Sequence, residues 1–220
     1  METIEVNPKF ESLPQHLPPP PIASPPVVIA NPAPLGLCAF GLTNFVLSLH
    51  LLGAGVPFTG PQSVILSLSL FYGGGCQILT GMWEFRTGNT FGATTFTSYG
   101  AYWISYSYIF LPTSKIIEDY GGQTDVFNKS VGLYMIGWAF FTGLMLIAAH
   151  RSSFTLIAQF FMLFLTYVLT AAGRFHDNAL SLQIASGVCG FITALFAFYN
   201  AMAGMLTPEN SLFVLPIGRL

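Results

Sequence analysis

The sequence predicts an all-α, polytopic membrane protein built as a bundle of six transmembrane helices, and three observations carry that expectation. Hydrophobic residues make up 53% of the 220 residues and charged residues only 7%, against about 25% charged in soluble domains, too few to cover a surface that faces water. The apolar residues run on without the period of about 3.6 or 2 that marks half-buried elements. The runs also reach the roughly 20 residues that a helix needs to cross the hydrocarbon core.

Residues 1–30 are polar and then proline-rich, with Pro18, Pro19, Pro20 and Pro21 consecutive and Pro25-Pro26 following; such a tail cannot bury enough apolar surface to fold and is expected to be disordered. It lacks the basic start and apolar centre of a cleavable signal peptide, so the first transmembrane helix is expected to act as the insertion signal. Six spans follow at residues 35–54, 62–82, 91–111, 131–149, 154–173 and 182–206, within a membrane domain of residues 31–206, and a short tail of residues 207–220 closes the chain. Turn-forming or polar residues punctuate them: Gly55-Val56-Pro57 and Gly60-Pro61, then residues 86–89, 112–128, 150–153 and 174–178. Only the third connection is long. Short connections make neighbouring helices antiparallel and leave no extramembrane receptor or catalytic domain. An even number of crossings puts both termini on one side, with Arg86 and Arg151 there against Lys115, Lys129 and Arg174 opposite, so basic residues do not choose the orientation.

The net charge of −2 offers no basic face, and no nucleic-acid partner is expected. Cys38, Cys76 and Cys189 lie far apart in apolar runs and read as small buried residues. His50, His150 and His176 lack partners at metal-ligand spacing, so neither a metal nor a cofactor is expected. Trp83, Trp103 and Trp138 read as interface anchors or packing.

The segment Asn31-Pro32-Ala33-Pro34-Leu35-Gly36-Leu37 opens the first span. Physical chemistry allows two readings of it. It can be an ordinary helix start, with prolines where no intrahelical N–H is needed and Asn31 as a cap. Equally, the remaining N–H groups of Leu35, Gly36 and Leu37, the positive helix end and the Asn31 amide suit a carboxylate. The second span carries Gly73-Gly74-Gly75, whose glycines suit close helix packing, and then Gln77 and Glu84, two turns apart on one face. A carboxyl this close to a span is functional by default, as a group that exchanges protons, unless a surface ion pair with Arg86 accounts for it. The third span is dense in hydroxyls, including Thr94, Thr95, Thr97, Ser98, Tyr99 and Tyr102, which suit a polar lining or bonds to backbone carbonyls one turn back.

These motifs, with Phe71-Tyr72-Gly73-Gly74, Gly81, Gly88-Asn89-Thr90-Phe91-Gly92, Thr97-Ser98-Tyr99-Gly100 and the closing Leu215-Pro216-Ile217-Gly218, resemble the acetate uptake transporter family, the succinate/acetate permeases. The similarity runs from about Ala30 to that closing motif, and the signature beginning at Asn31 is its most specific part. The resemblance implies six helices per protomer, a homo-hexamer, a conduit through each protomer, and a plasma-membrane protein with cytoplasmic termini. It also implies a constriction, which falls by matching motifs on Phe40, Tyr99 and Leu163. The expected activity is transport of acetate and related small monocarboxylates, with succinate as an extension and protons as a second partner. Asn31, Leu35, Gly36, Leu37, Thr43, Gln77, Glu84 and Thr97 are the expected substrate contacts. Carrier and channel mechanisms both remain open, and so do a membrane scaffold that transports nothing and a pore for a small solute such as ammonium. An intramembrane enzyme is set aside, because no catalytic constellation lies within the spans.

Overall fold

The computed structural model describes residues 29–58, 60 and 62–220. The expected disordered tail of residues 1–30 lies, except for its last two residues, outside the described residues. The unit from Asn31 to Leu220 is helical, with no β-strand among the described residues beyond one isolated bridge between Ser153 and Arg219.

Six long helices account for most of it. α1 spans Ala33–Leu51 and begins where Pro32 and Pro34 preset the first turn, with Asn31 Oδ1 accepting the Ala33 N–H at 3.1 Å. α2 is continuous over Ser63–Thr87, but its middle, Ser69–Cys76, is a π-helix that carries the three consecutive glycines. Gly88, at φ 82°, stops it. α3 spans Thr90–Phe110 and is capped by Asn89, whose Oδ1 accepts the Gly92 N–H at 3.0 Å. After short turns at Pro112–Ser114 and Ile116–Asp119, α4 runs over Asp125–Ala148 from a Thr124 cap. α5 (Phe154–Phe175) starts on a Ser153 cap, and α6 (Leu180–Met205) ends the bundle. The C-terminal segment folds back on α5, where the Phe154 and Thr155 N–H groups donate to the Gly218 and Ile217 carbonyls at 2.8 and 3.3 Å.

Five of these helices are long and apolar enough to cross a membrane: α1, α2, α4, α5 and α6. α3, at 21 residues about 30 Å long, has the length, but its threonines, serines and tyrosines dilute its apolarity. Two expected boundaries shift by five residues or more. α2 continues to Thr87 rather than stopping at 82, and α4 starts at Asp125 rather than 131, its polar first turns held by the Thr124 cap and a Lys129–Asp125 ion pair at 2.7 Å. The cysteines are half-buried and unbridged rather than fully buried.

The helices pack in a ring. α2 lies against α1 and α3, α5 against α4 and α6, and α6 returns to α1. The last joint, between α3 and α4, is made by large side chains: Tyr99 and Tyr102 lie 6.1 and 5.0 Å from the Trp138 ring, and the Tyr99 hydroxyl is 2.9 Å from Thr142 Oγ1. By contrast, α2 and α3 touch backbone to backbone, because a Cβ on Gly100 would come within 2.8 Å of the Gly74 carbonyl and 2.9 Å of the Ile78 nitrogen. Polarity is reversed relative to a soluble bundle. Thr43, Gln77, Glu84 and Thr142 are almost wholly buried, whereas Phe71, Phe140 and Ile147 point outward at 76%, 70% and 70% exposure. Hydrocarbon, not water, is the solvent that such an outer face suits.

Candidate functional site

Among the described residues, a wider and a smaller cavity lie along the ring, one toward each end. The wider, about 610 Å³, opens between the ends of α1, α3 and α5 and the starts of α2 and α6; Asn44, Ser48, Trp103, Tyr167, Arg174 and Gln183 are among its walls. The smaller, about 130 Å³, lies near the starts of α1, α3 and α5, between Leu37, Gln77, Asn89, Phe91, Tyr99 and Gln159. That is well below the 300–1,000 Å³ or so of sites for drug-sized ligands, and suits a molecule of a few heavy atoms. Phe40 and Leu163, each 3% exposed, line both cavities and so form the wall between them. Phe40 is wedged between Tyr99 and Trp103, with ring centroids 6.0 and 6.4 Å away. Because the Thr142 hydroxyl gives its proton to the Trp138 carbonyl at 2.7 Å, the Tyr99 hydroxyl must be the donor to Thr142, and its ring is fixed at the edge of the smaller cavity.

The expected site residues divide into two groups. Leu37, Phe40, Gln77, Tyr99 and Leu163 converge on the smaller cavity. Gln77 is 1% exposed and its Oε1 has no hydrogen-bond partner, an unmet polar atom at the rim of a mostly apolar space. Asn31 lies outside both linings and caps the Ala33 N–H. Leu35 gives its N–H to the Pro32 carbonyl at 3.1 Å and turns a 47% exposed side chain outward. Gly36 is covered by Phe96, which a Cβ would meet at 2.6 Å. The start of α1 contributes Ala33 and Leu37 to the lining of the cavity. Thr43 donates to the Ala39 carbonyl at 2.8 Å and packs on Gly73, while Thr97 packs on Gly81 with its Oγ1 unpartnered.

Glu84 stands one residue back from the cavity. Asn89, which lines the space, donates from Nδ2 to Glu84 Oε2 at 2.8 Å, and Glu84 Oε1 is buried without a partner. The ion pair with Arg86 does not form; Arg86 is exposed, and the only salt bridge among the described residues joins Lys129 and Asp125. Asn89 thus does two jobs, capping α3 and linking Glu84 to the cavity.

Sequence reasoning missed Gln159, whose Oε1 accepts from Asn200 Nδ2 at 2.9 Å, while Asn200 Oδ1 accepts from Thr155 Oγ1 at 2.6 Å. The signal was there: Gln159 is the one amide in an apolar run, but its partner lies 41 residues away. The π-helix was also missed, although Gly73-Gly74-Gly75 marked the place.

The family model described as the GPR1/FUN34/yaaH family matches residues 15–220. Acetate permease A of Emericella nidulans is 40% identical over 86% of this chain and 65% of its own length. Ammonia transport outward protein 2 of Saccharomyces cerevisiae is 37% identical over 83% of this chain and 64% of its own. The succinate-acetate/proton symporter SatP of Escherichia coli is 38% identical over 86% of this chain and 96% of its own. The solved structure of the bacterial acetate channel SatP superposes with a TM-score of 0.74 at 35% identity, covering 87% of this chain and all of that one. The chain spans about two thirds of the length of the fungal relatives it matches.

Proposed function

The chain belongs to the GPR1/FUN34/yaaH family, and from that premise we propose that it carries acetate and related small monocarboxylates across a membrane through its own ring of helices. The observation that supports this most is the pair of cavities that share Phe40 and Leu163 as their common wall. A two-carbon acid has a charged end and a methyl. The Gln77 and Asn89 amides suit the first, and Phe40, Leu163 and the Tyr99 ring suit the second. Passing a bare carboxylate through an apolar wall carries a large desolvation cost, far larger than for the neutral acid. Proton linkage is therefore part of the proposal, with Glu84 as the group that takes up and releases the proton and Asn89 as the donor that holds its carboxyl beside the cavity. In this reading α3 is the sixth crossing, its hydroxyls turned to the path, both termini are cytoplasmic, and the assembly is a homo-hexamer in the plasma membrane.

Relatives supply a second reading, since one of them is named for ammonia transport. Gln77 Oε1, an unpartnered acceptor, suits an ammonium donor as well as the amide nitrogen suits a carboxylate. Uptake of radiolabelled acetate into proteoliposomes of the purified chain, over a range of pH and against competing acids and ammonium, separates the readings. Saturable uptake that propionate inhibits and ammonium does not supports the proposal. Uptake no faster than in empty vesicles excludes it and leaves the scaffold reading.

A further inference from the structure

We propose that Arg174 is a carboxylate-docking residue of the wide cavity, which receives the anion before it reaches the Phe40–Leu163 wall. Arg174 sits in the last turn of α5, half-buried, and is the only charged side chain among the described residues that line this cavity. Its Nη1 donates to Asn128 Oδ1 at 3.1 Å and to Asn178 Oδ1 at 3.2 Å. Both partners are neutral amides, so the positive charge is held in place but not cancelled. Nothing among the described residues occupies Nε or Nη2, and no carboxylate lies within ion-pair distance; the neighbouring Asp177 is exposed. That open edge of the guanidinium, two parallel N–H groups, is the geometry that takes both oxygens of a carboxylate.

The backbone around it points the same way. Asp177 and Asn178 have φ of 51° and 55°, consecutive residues other than glycine in the left-handed region, in a turn closed by the Asn178 N–H on the Gly173 carbonyl at 2.9 Å. This unfavourable conformation turns the Asn178 amide back onto Arg174. A simpler role exists: a cation near a helix C-terminus offsets the dipole. That role explains the charge. It does not explain why two amides, one from α4 and one from a strained turn, share a single nitrogen and leave the fork free. In a cavity whose other polar wall groups are neutral, one uncancelled cation also draws anions inward.

The carboxylate as ligand rests on the proposed function; the binding site itself can be read without transport. The test titrates ¹³C-acetate against the full chain in detergent, following ligand line broadening by NMR, at low and high ionic strength. R174Q is expected to weaken acetate binding about tenfold, the loss of a charge-assisted pair, and R174K to restore part of it. N178G, which keeps the turn because glycine accepts its φ, is expected to weaken binding severalfold and carries the test if R174Q does not fold. R151Q, an exposed cation in the α4–α5 connection, is expected to match the unmodified chain, and acetamide is expected not to displace acetate. Unchanged acetate affinity in R174Q or in N178G, equal displacement by acetamide, or no saturable binding to the unmodified chain each overturns the proposal. Vesicle uptake read in parallel separates the two claims. Arg174-dependent binding without uptake strikes the transport reading alone, and uptake with undiminished R174Q binding strikes this one alone.

Discussion

Around the smaller cavity, α2 and α3 meet through glycines with no room for a Cβ, and two of the three amides beside it are held, Asn89 by Glu84 and the α3 cap and Gln159 by Asn200, while Gln77 Oε1 is left without a partner. Around the wider cavity, large aromatic rings keep the α3 and α4 backbones apart, and the polar groups are spread over about 610 Å³ with one cation among them. The narrow end is thus rigid, neutral and made to a size. The wide end is roomy and electrostatic. A path with both ends alike would gain nothing from this division. Under the proposed function, discrimination falls to the narrow end and collection of ligand to the wide one.

The largest effect that would break this comparison is expected at the glycine seam. A Cβ on Gly81 would overlap Thr97 Oγ1 and lie 2.8 Å from the Thr97 nitrogen, so Gly81→Leu forces α2 and α3 apart. Overpacking of that kind costs about 1–3 kcal/mol or more, and loss of a folded peak in detergent size exclusion is expected. Retention of a native, active peak would show that the narrow end is not rigid. Next in size is Gln77→Leu. With Oε1 unpartnered, the change orphans no recorded partner of that atom, so folding should survive while acetate uptake falls about tenfold, the worth of a hydrogen bond to a charged ligand. Uptake equal to that of the unmodified chain would move the binding group elsewhere. The smallest change is expected for Glu84→Gln, which still accepts from Asn89 Nδ2. Uptake near neutral pH should drop a few-fold and lose its dependence on pH, measured as initial rates across a pH series. A pH profile that keeps its shape would remove Glu84 from the proton path.

Most of the architecture was legible because it rests on the length and apolarity of each run, and the positions of α1, α5 and α6 follow from those alone. α3 is the instructive case. Its tyrosines and threonines lower its apolarity as a span, yet Thr95 and Tyr99 line the smaller cavity, and Tyr99 and Tyr102 make the joint to α4. The start of α4 was hidden because a capped, ion-paired turn looks like a loop when only apolarity is read. Of the residues that line the smaller cavity, Phe40, Gln77 and Tyr99 could be named from strongly patterned segments, and Leu163 from a span with few landmarks. At the segment beginning with Asn31, local chemistry alone cannot say which way the turn faces, and Phe96 packs over Gly36. Gln159 and Arg174 were out of reach for a different reason. Their roles depend on Asn200, Asn128 and Asn178, which only the ring brings to them.

The central claim is that a substrate passes between the cavities where Phe40 and Leu163 meet. The most direct measurement is the ratio of lactate to acetate initial uptake rates in proteoliposomes carrying the unmodified chain or Leu163→Ala, with equal folded protein in each. A wall at this place predicts that trimming Leu163 raises the ratio several-fold, because the larger acid gains most from the added width. An unchanged ratio, with acetate still taken up at the original rate, would mean that the path does not run between these two side chains.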